Sequence, residues 1–380
     1  MSFNRRDVHR SLIAGAVAAT LAAASQFALA QAAPQPRASE EGGMRSGKIF
    51  TISNSASGNE VLVVGAGTTG ALALLARYPT QGLGSGAGLG SQGAVTLSGD
   101  GRTLYVVNAG SNSISTFAVR RAGLVLQSVH DAGGLHPISV SEHDGLVYVL
   151  NDGGSGNVAG FRNQNGDLQA VPGSVQPLSA AGGTGPAQVA IGPDGDVLVV
   201  TEKNTNLLLS YALAGDGSAG APQITASAGT TPYGFAFDRR NHLLVTEATA
   251  STLSSYRFGA AAPATPRVVS ASVPTNQGAA CWAVTTPNGH FVYTGNASTS
   301  SISQFAIDRR GAVALVAAAA ADTAGGGAGD LAIASHGRTL SILAPHTPAI
   351  FSYGVGADGG LTPAGSFSGL PAGVVGLAAN

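Results

Sequence analysis

The chain has 380 residues, enough for one large repetitive domain or two ordinary ones, and 44% of them are hydrophobic. Only 10% are charged, and a net charge of −1 without any basic stripe argues against nucleic acid as a partner. Gly reaches 55 residues with no collagen-like period, the composition of a folded chain with many tight turns.

Residues 1–30 read as an export address. Arg5-Arg6 within Asn4–Arg10 resembles a twin-arginine signal, followed by a mildly apolar, Ala-rich stretch from Ser11 that ends in Ala28-Leu29-Ala30, a signal-peptidase pattern. A membrane anchor is the alternative, but the stretch is weakly hydrophobic and stops at a cleavage site. Beyond it no apolar run is long enough to span a bilayer, so no stable span is expected after processing, and the mature chain belongs in the periplasm or outside the cell. Processing leaves 16 basic and 19 acidic side chains. Residues 31–46, with Pro34 and Pro36, read as a flexible lead-in.

From residue 47 onward the chain repeats. Ile114-x-x-Phe117 recurs as Val158-x-x-Phe161, Leu208-x-x-Tyr211, Leu253-x-x-Tyr256, Ile302-x-x-Phe305 and Ile350-x-x-Tyr353, with the aromatics 44, 50, 45, 49 and 48 residues apart. Most copies carry an upstream turn such as Asp100-Gly101, Asp144-Gly145, Asp194-Gly195 or Asn288-Gly289. A β-rich run follows it, Leu104–Val107 or Val197–Val200 for example. Asp-Gly and Asn-Gly between apolar runs suit type I′ hairpins. Each unit therefore reads as four strands, a to d, with apolar faces that only neighbouring units can cover: an all-β propeller.

Full units begin near Gln92, His136, Gly185, Thr231, Gly278 and Gly327. A first unit, Lys48 to about Thr80, lacks strand a, and Pro371–Asn380 supplies it. The expectation is a seven-bladed β-propeller over 47–380, with four-stranded antiparallel blades and a ring closed by strands from both termini. Helix should be nearly absent; Ala317–Ala321 reads as part of an outer strand continuing Val313–Val316.

Function is expected on the face where strands a begin and strands b end. Six units end strand b on a polar residue: Asn54, Asn108, Asn151, Glu202, Glu247 and Asn296; the seventh has Pro345. Asn commonly caps its own turn, so Asn108, Asn151 and Asn296 are ligand-binding candidates against that plainer role. Glu is a poorer turn-former. Glu202 and Glu247, in neighbouring blades, are the candidate general bases, because clustered carboxylates raise one another's pKa. His136 opens strand a of blade three as a candidate assistant. Gln188, Tyr233 and Asp330 open strands a elsewhere and are ligand-binding candidates; Tyr233 and Lys203 suit an anionic ligand. His242, His290 and His336 fall by the turns of the opposite face. Cys281 is the only cysteine, which excludes an internal disulfide, and core packing is its better reading. No phosphate-cradling loop, nucleophile elbow or zinc spacing is present. No cofactor is implied, although oxygen ligands from Glu202, Glu247 and Asn carbonyls are compatible with Ca²⁺.

The repeat, the seven-fold count, the terminal closure and the phrases Leu104-Tyr105-Val106-Val107-Asn108 and Val199-Val200-Thr201-Glu202 resemble the propeller lactonase family, which includes 6-phosphogluconolactonase-like and carboxymuconate-cyclising members. The resemblance implies carboxylates at the positions of Glu202 and Glu247. It also implies His-x-His-Gln-Val where this chain has Gly185-Pro186-Ala187-Gln188-Val189, and Gly-Pro-Arg-His where it has Thr231-Pro232-Tyr233-Gly234. Without those His and Arg side chains a phosphorylated or polycarboxylate substrate fits poorly. A neutral or weakly acidic lactone or related ester opened by a carboxylate base remains allowed. The alternatives are a non-catalytic ligand- or protein-binding propeller and, less favoured, a muconate-type cyclase.

Overall fold

The computed structural model describes residues 47–66, 71–259, 265–334 and 336–380. The export signal and the lead-in expected at 1–30 and 31–46 lie outside the described residues. Seven antiparallel sheets account for the rest; six run outward in chain order, and each has four strand positions, the outermost of blade three being filled by two short strands. Blade one is composite: Val375–Ala379 is its inner strand, followed by Ile49–Ile52, Glu60–Ala66 and Leu72–Pro79. Ile49 pairs with Ala379, and Lys48 and Asn380 exchange two hydrogen bonds at the seam. The all-β, seven-bladed reading and its terminal closure are therefore as expected.

Packing between blades explains the sequence pattern. Each second strand is sandwiched on both faces, so Val197–Glu202 and His242–Glu247 are buried throughout and read as continuous apolar runs instead of alternating ones. The outer strands see solvent on one side and alternate: Leu72–Pro79, Gly123–Asp131 and Val313–Asp322 all do so. The last contains the whole Ala317–Ala321 run, placed as strand. Among the described residues the helical content is one 3₁₀ turn, Ala109–Ser111.

Tyrosine hydroxyls bolt adjacent blades. Tyr148 Oη donates to Gly217 O at 2.7 Å, Tyr293 Oη to Gly359 O at 2.7 Å, and Tyr353 Oη to Asp322 O at 2.6 Å, each in the neighbouring blade. A buried phenol needs such a partner, and so does the carbonyl it meets. Tyr148→Phe should cost about 1 kcal/mol, read as a lower denaturant midpoint with an unchanged slope.

Two local expectations are corrected. The first hairpins of the blades are mostly not type I′: of the four turns named above only Asp144-Gly145 has two consecutive positive φ angles, 46° and 77°, although Asn165-Gly166 in the outer hairpin of blade three also does. At Asp100-Gly101, Asp194-Gly195 and Asn288-Gly289 only the glycine is left-handed, and its N–H closes a four-residue turn onto Ser98, Gly192 or Thr286. These are type I turns finished by an αL glycine, the other common way to join twisted strands. Blade three's outer strand is split into Asp167–Ala170 and Gln176–Pro177, because Pro172 lacks an amide for the ladder and Gly173 turns the chain.

Candidate functional site

The polar residues that end strands b do not line an opening; each is enclosed by its own blade's rim. Glu247 is 0% exposed. It accepts hydrogen bonds from Gly229 N at 2.6 Å, Ser254 Oγ at 2.6 Å, Ser272 Oγ at 3.1 Å, Ser227 Oγ at 3.3 Å and Thr252 Oγ1. Glu202, also 0% exposed, accepts from Ser179 N, Ser179 Oγ and Thr205 Oγ1. Ser179 and residues 227–229 belong to the crossovers that bring the chain from the previous blade's outer strand to the next inner one. The two carboxylates thus latch successive crossovers instead of converging on one site.

The asparagines do the same with an amide. Asn108 accepts from Thr80 Oγ1 and donates to Ser113 and Ser115 Oγ. Asn151 donates to Ala132 O and Asn157 Oδ1, and Asn296 to Ser301 and Ser303 Oγ. Gln188 is a zipper between blades four and five. Its Nε2 donates to Phe235 O while its Oε1 accepts Phe235 N, the double bond a backbone unit would make. With every carboxylate oxygen of Glu202 and Glu247 taken by protein donors, neither presents a free face to Ca²⁺. Among the described residues no group of three or more His, Cys, Asp and Glu side chains is placed to hold a metal.

Tyr233 and Asp330, by contrast, do line a common cavity. It measures about 340 Å³ and lies where inner strands begin, bounded by Gly88–Ser91, Tyr233, Trp282, Asp330, Pro345 and the closing segment Gly373–Val375. The segment Gly88–Gln92 connects blade one to blade two and reaches across the axis. Gln92 exchanges two hydrogen bonds with the backbone of Ala283 in blade six, and Trp282 Nε1 donates to Ser91 O. Trp282 meets Tyr233 edge-to-face, with centroids 5.4 Å apart.

Asp330 is 5% exposed, and Gly93 N and Gly376 N donate to its two oxygens at 3.2 and 3.1 Å. Burial dominates those two bonds and pushes its carboxyl up to about 7. Beside the cavity, Lys203 Nζ donates to Gly90 O at 2.5 Å and Pro186 O at 3.2 Å and stands 4.9 Å over the Tyr233 ring. Desolvation lowers its pKa, with Asp152 opposing.

His136 sits one blade earlier on the same face, with a left-handed φ of 55°. Its Nδ1 is 2.6 Å from Asp152 Oδ1, and both side chains are partly exposed. That bond raises the imidazole pKa, with burial opposing. Cys281 is buried and its thiol pushed up to about 12, a packing group and not a nucleophile. The sequence reading missed Asp152 and the axial segment. Asn151-Asp152-Gly153-Gly154 looks like an ordinary turn, and Gly82–Gly93 like an ordinary Gly/Ser loop; neither carries a signal of what it faces.

Comparison with known proteins is consistent with this geometry. Residues 57–176 and 155–264, together more than half the chain, match the family described as lactonase, 7-bladed beta-propeller. No curated protein sequence matches. Among solved structures, the periplasmic gluconolactonase PpgL of Pseudomonas aeruginosa is 16% identical, with a TM-score of 0.68 over 88% of this chain and 99% of that one. A candidate 6-phosphogluconolactonase from Bacteroides fragilis is 17% identical, with a TM-score of 0.63 over 88% and 98%. A protein of unknown function from Desulfotomaculum acetoxidans is 13% identical, with a TM-score of 0.66 over 87% and 98%. At these identities the structural likeness establishes the fold alone. Taken with the family match, the seven composite-closed blades make this chain a member of the lactonase family of seven-bladed β-propellers.

Proposed function

We propose that the axial cavity opens a neutral lactone or a related ester, with Asp330 as general base. The observation that carries this reading is the carboxyl of Asp330, buried in a ligand-sized cavity and raised to about 7, where it exchanges a proton readily near neutral pH. It replaces Glu202 and Glu247 as the carboxylate of choice, since both are spent on their own crossovers. Asp330 takes a proton from water as the oxygen attacks the carbonyl carbon; the ring C–O bond breaks and the proton passes to the departing alkoxide. The product is a hydroxy acid. Burial raises the Tyr233 phenol, so it stays protonated and serves as the donor to the carbonyl oxygen as charge develops there. The His136–Asp152 pair lies outside this cavity's lining and is assigned no step. The twin-arginine-like leader, and the periplasmic location of the Pseudomonas aeruginosa protein, support action outside the cytoplasm.

The test is proton release at constant pH by residues 31–380 on a panel of neutral and acidic lactones. Asp330 must be ionised to act, so the rate should climb as pH rises toward about 7 and level off above it. Asp330→Asn should lose roughly 10²–10⁴-fold. Because an amide disturbs one of the two N–H contacts, Tyr233→Phe serves as a second variant and should lose about tenfold or more. No turnover of any lactone would remove the hydrolase reading and favour the binding propeller; full activity in folded Asp330→Asn would remove its base.

A further inference from the structure

Among the described residues, two donors at the cavity's edge keep a hydrogen free of any protein acceptor, and one of them is the Tyr233 phenol that meets the carbonyl oxygen. Lys203 Nζ gives two of its three N–H groups to the carbonyls of Gly90 and Pro186. Among the described residues no carboxylate lies within ion-pair distance of it. The acidic group that most favours its charge, Asp152, is already tied to His136. Two neutral carbonyls and an aromatic ring therefore hold a half-buried ammonium without a counter-charge, and an anion would complete its coordination. The second donor is Tyr233 Oη, which has no hydrogen-bond acceptor among the described residues and remains a phenol.

Both donors flank Gly90 on the side where a side chain would project. A methyl group built on Gly90 would stand 3.4 Å from Lys203 Nζ and 3.7 Å from Tyr233 Oη, with nothing else within 4 Å. Gly90 has φ +59°, so glycine both suits the backbone there and leaves that point open. We infer that Lys203 and Tyr233 form a carboxylate-binding subsite over Gly90, which holds the acid group of a small hydroxy acid at the rim of the axial cavity. A carboxylate accepts from both donors at once, one charge-assisted bond and one neutral, and supplies the missing counter-charge. A neutral lactone carbonyl offers no charge to the ammonium. The identity of the acid rests on the hydrolase reading, because ring opening turns a neutral lactone into such an anion; the subsite then holds product, and product inhibits.

The experiment is calorimetric titration of residues 31–380 with gluconate, and with sorbitol as its uncharged counterpart, alongside Lys203→Met, Lys203→Arg and Gly90→Ala. The wild type should bind gluconate at least tenfold more tightly than sorbitol. Lys203→Met should erase that preference and Lys203→Arg should keep part of it, which separates charge from any disturbance of the axial segment. Gly90→Ala should weaken gluconate about tenfold or more. Equal binding of gluconate by wild type and Lys203→Met, or of gluconate and sorbitol by the wild type, overturns the subsite. Turnover is scored separately: a lactonase that gluconate neither binds nor inhibits loses the subsite and keeps the hydrolase reading, and gluconate binding without lactone turnover does the reverse.

Discussion

Glu247→Ala should lower the free energy of unfolding by about 2–5 kcal/mol, the scale of leaving several buried donors without an acceptor. Five donors converge on this carboxylate, and the side chain has no exposed surface. Alanine leaves the Gly229 N–H and four hydroxyls without their acceptor at the junction of two strands and a crossover, and each stranded donor carries its own desolvation cost. Glu247→Gln is expected to be much milder, about 1 kcal/mol. An amide oxygen placed toward Gly229 N keeps the one donor that cannot rotate, while the hydroxyls of Thr252 and Ser272 can turn to accept from the amide nitrogen. The measurement is denaturant unfolding with an unchanged slope. A catalytic Glu247 would give the opposite pattern: wild-type stability in both variants, and a rate lost as fully in glutamine as in alanine.

The fold was legible because its determinants are local and repeated. The aromatic of strand c recurs at blade spacing, and the glycine turns fall between apolar runs. Pro371–Asn380 matched the strand missing from the first unit, and Val375–Ala379 fills that place. The position of the strand-b polar residue was equally legible; its direction was not. Strands such as Val197–Glu202 are buried on both faces, so no polar–apolar alternation tells which side a terminal Glu or Asn takes. The same two-sided burial hides Gln188 as a zipper. The cavity was legible only where a side chain at the start of an inner strand lines it, as Tyr233 and Asp330 do. Its floor comes from Gly88–Ser91, and the two glycines there have no side chain to advertise what their backbone will meet. Asp152 was hidden for a related reason: a turn residue and a partner for histidine look identical until the strand register brings His136 opposite it.

Deleting residues 375–380 should destabilise more than any point substitution, by roughly 5 kcal/mol or more, and should yield a chain that unfolds broadly and self-associates. The deletion removes the whole inner strand of blade one. Leu377 and Ala378 leave the core, and Ile49–Ile52 loses its partner at Ile49, Phe50 and Ile52. Burial of those side chains is worth about 1.5–3 kcal/mol for each large one, before the ladder is considered. The strand exposed in its place is short, apolar and unpaired, the kind of edge that recruits another chain. Ring closure adds a further loss, since blade seven then meets blade one across an incomplete sheet. Size-exclusion and thermal unfolding measure both effects, and adding a peptide of residues 371–380 should partly restore a cooperative transition. A truncated chain that stays monomeric with the wild-type midpoint would show that the seam is not held by this strand. The deletion also removes Gly376 N, one of the two donors that pull the Asp330 carboxyl down. Losing that strand also opens the carboxyl to water, and because burial is the larger influence on it, its pKa and the rate that depends on its ionisation should move to lower pH in whatever folded fraction the peptide leaves unrestored. Closure of the ring and the acidity of its axial carboxylate are in this way set by the same strand.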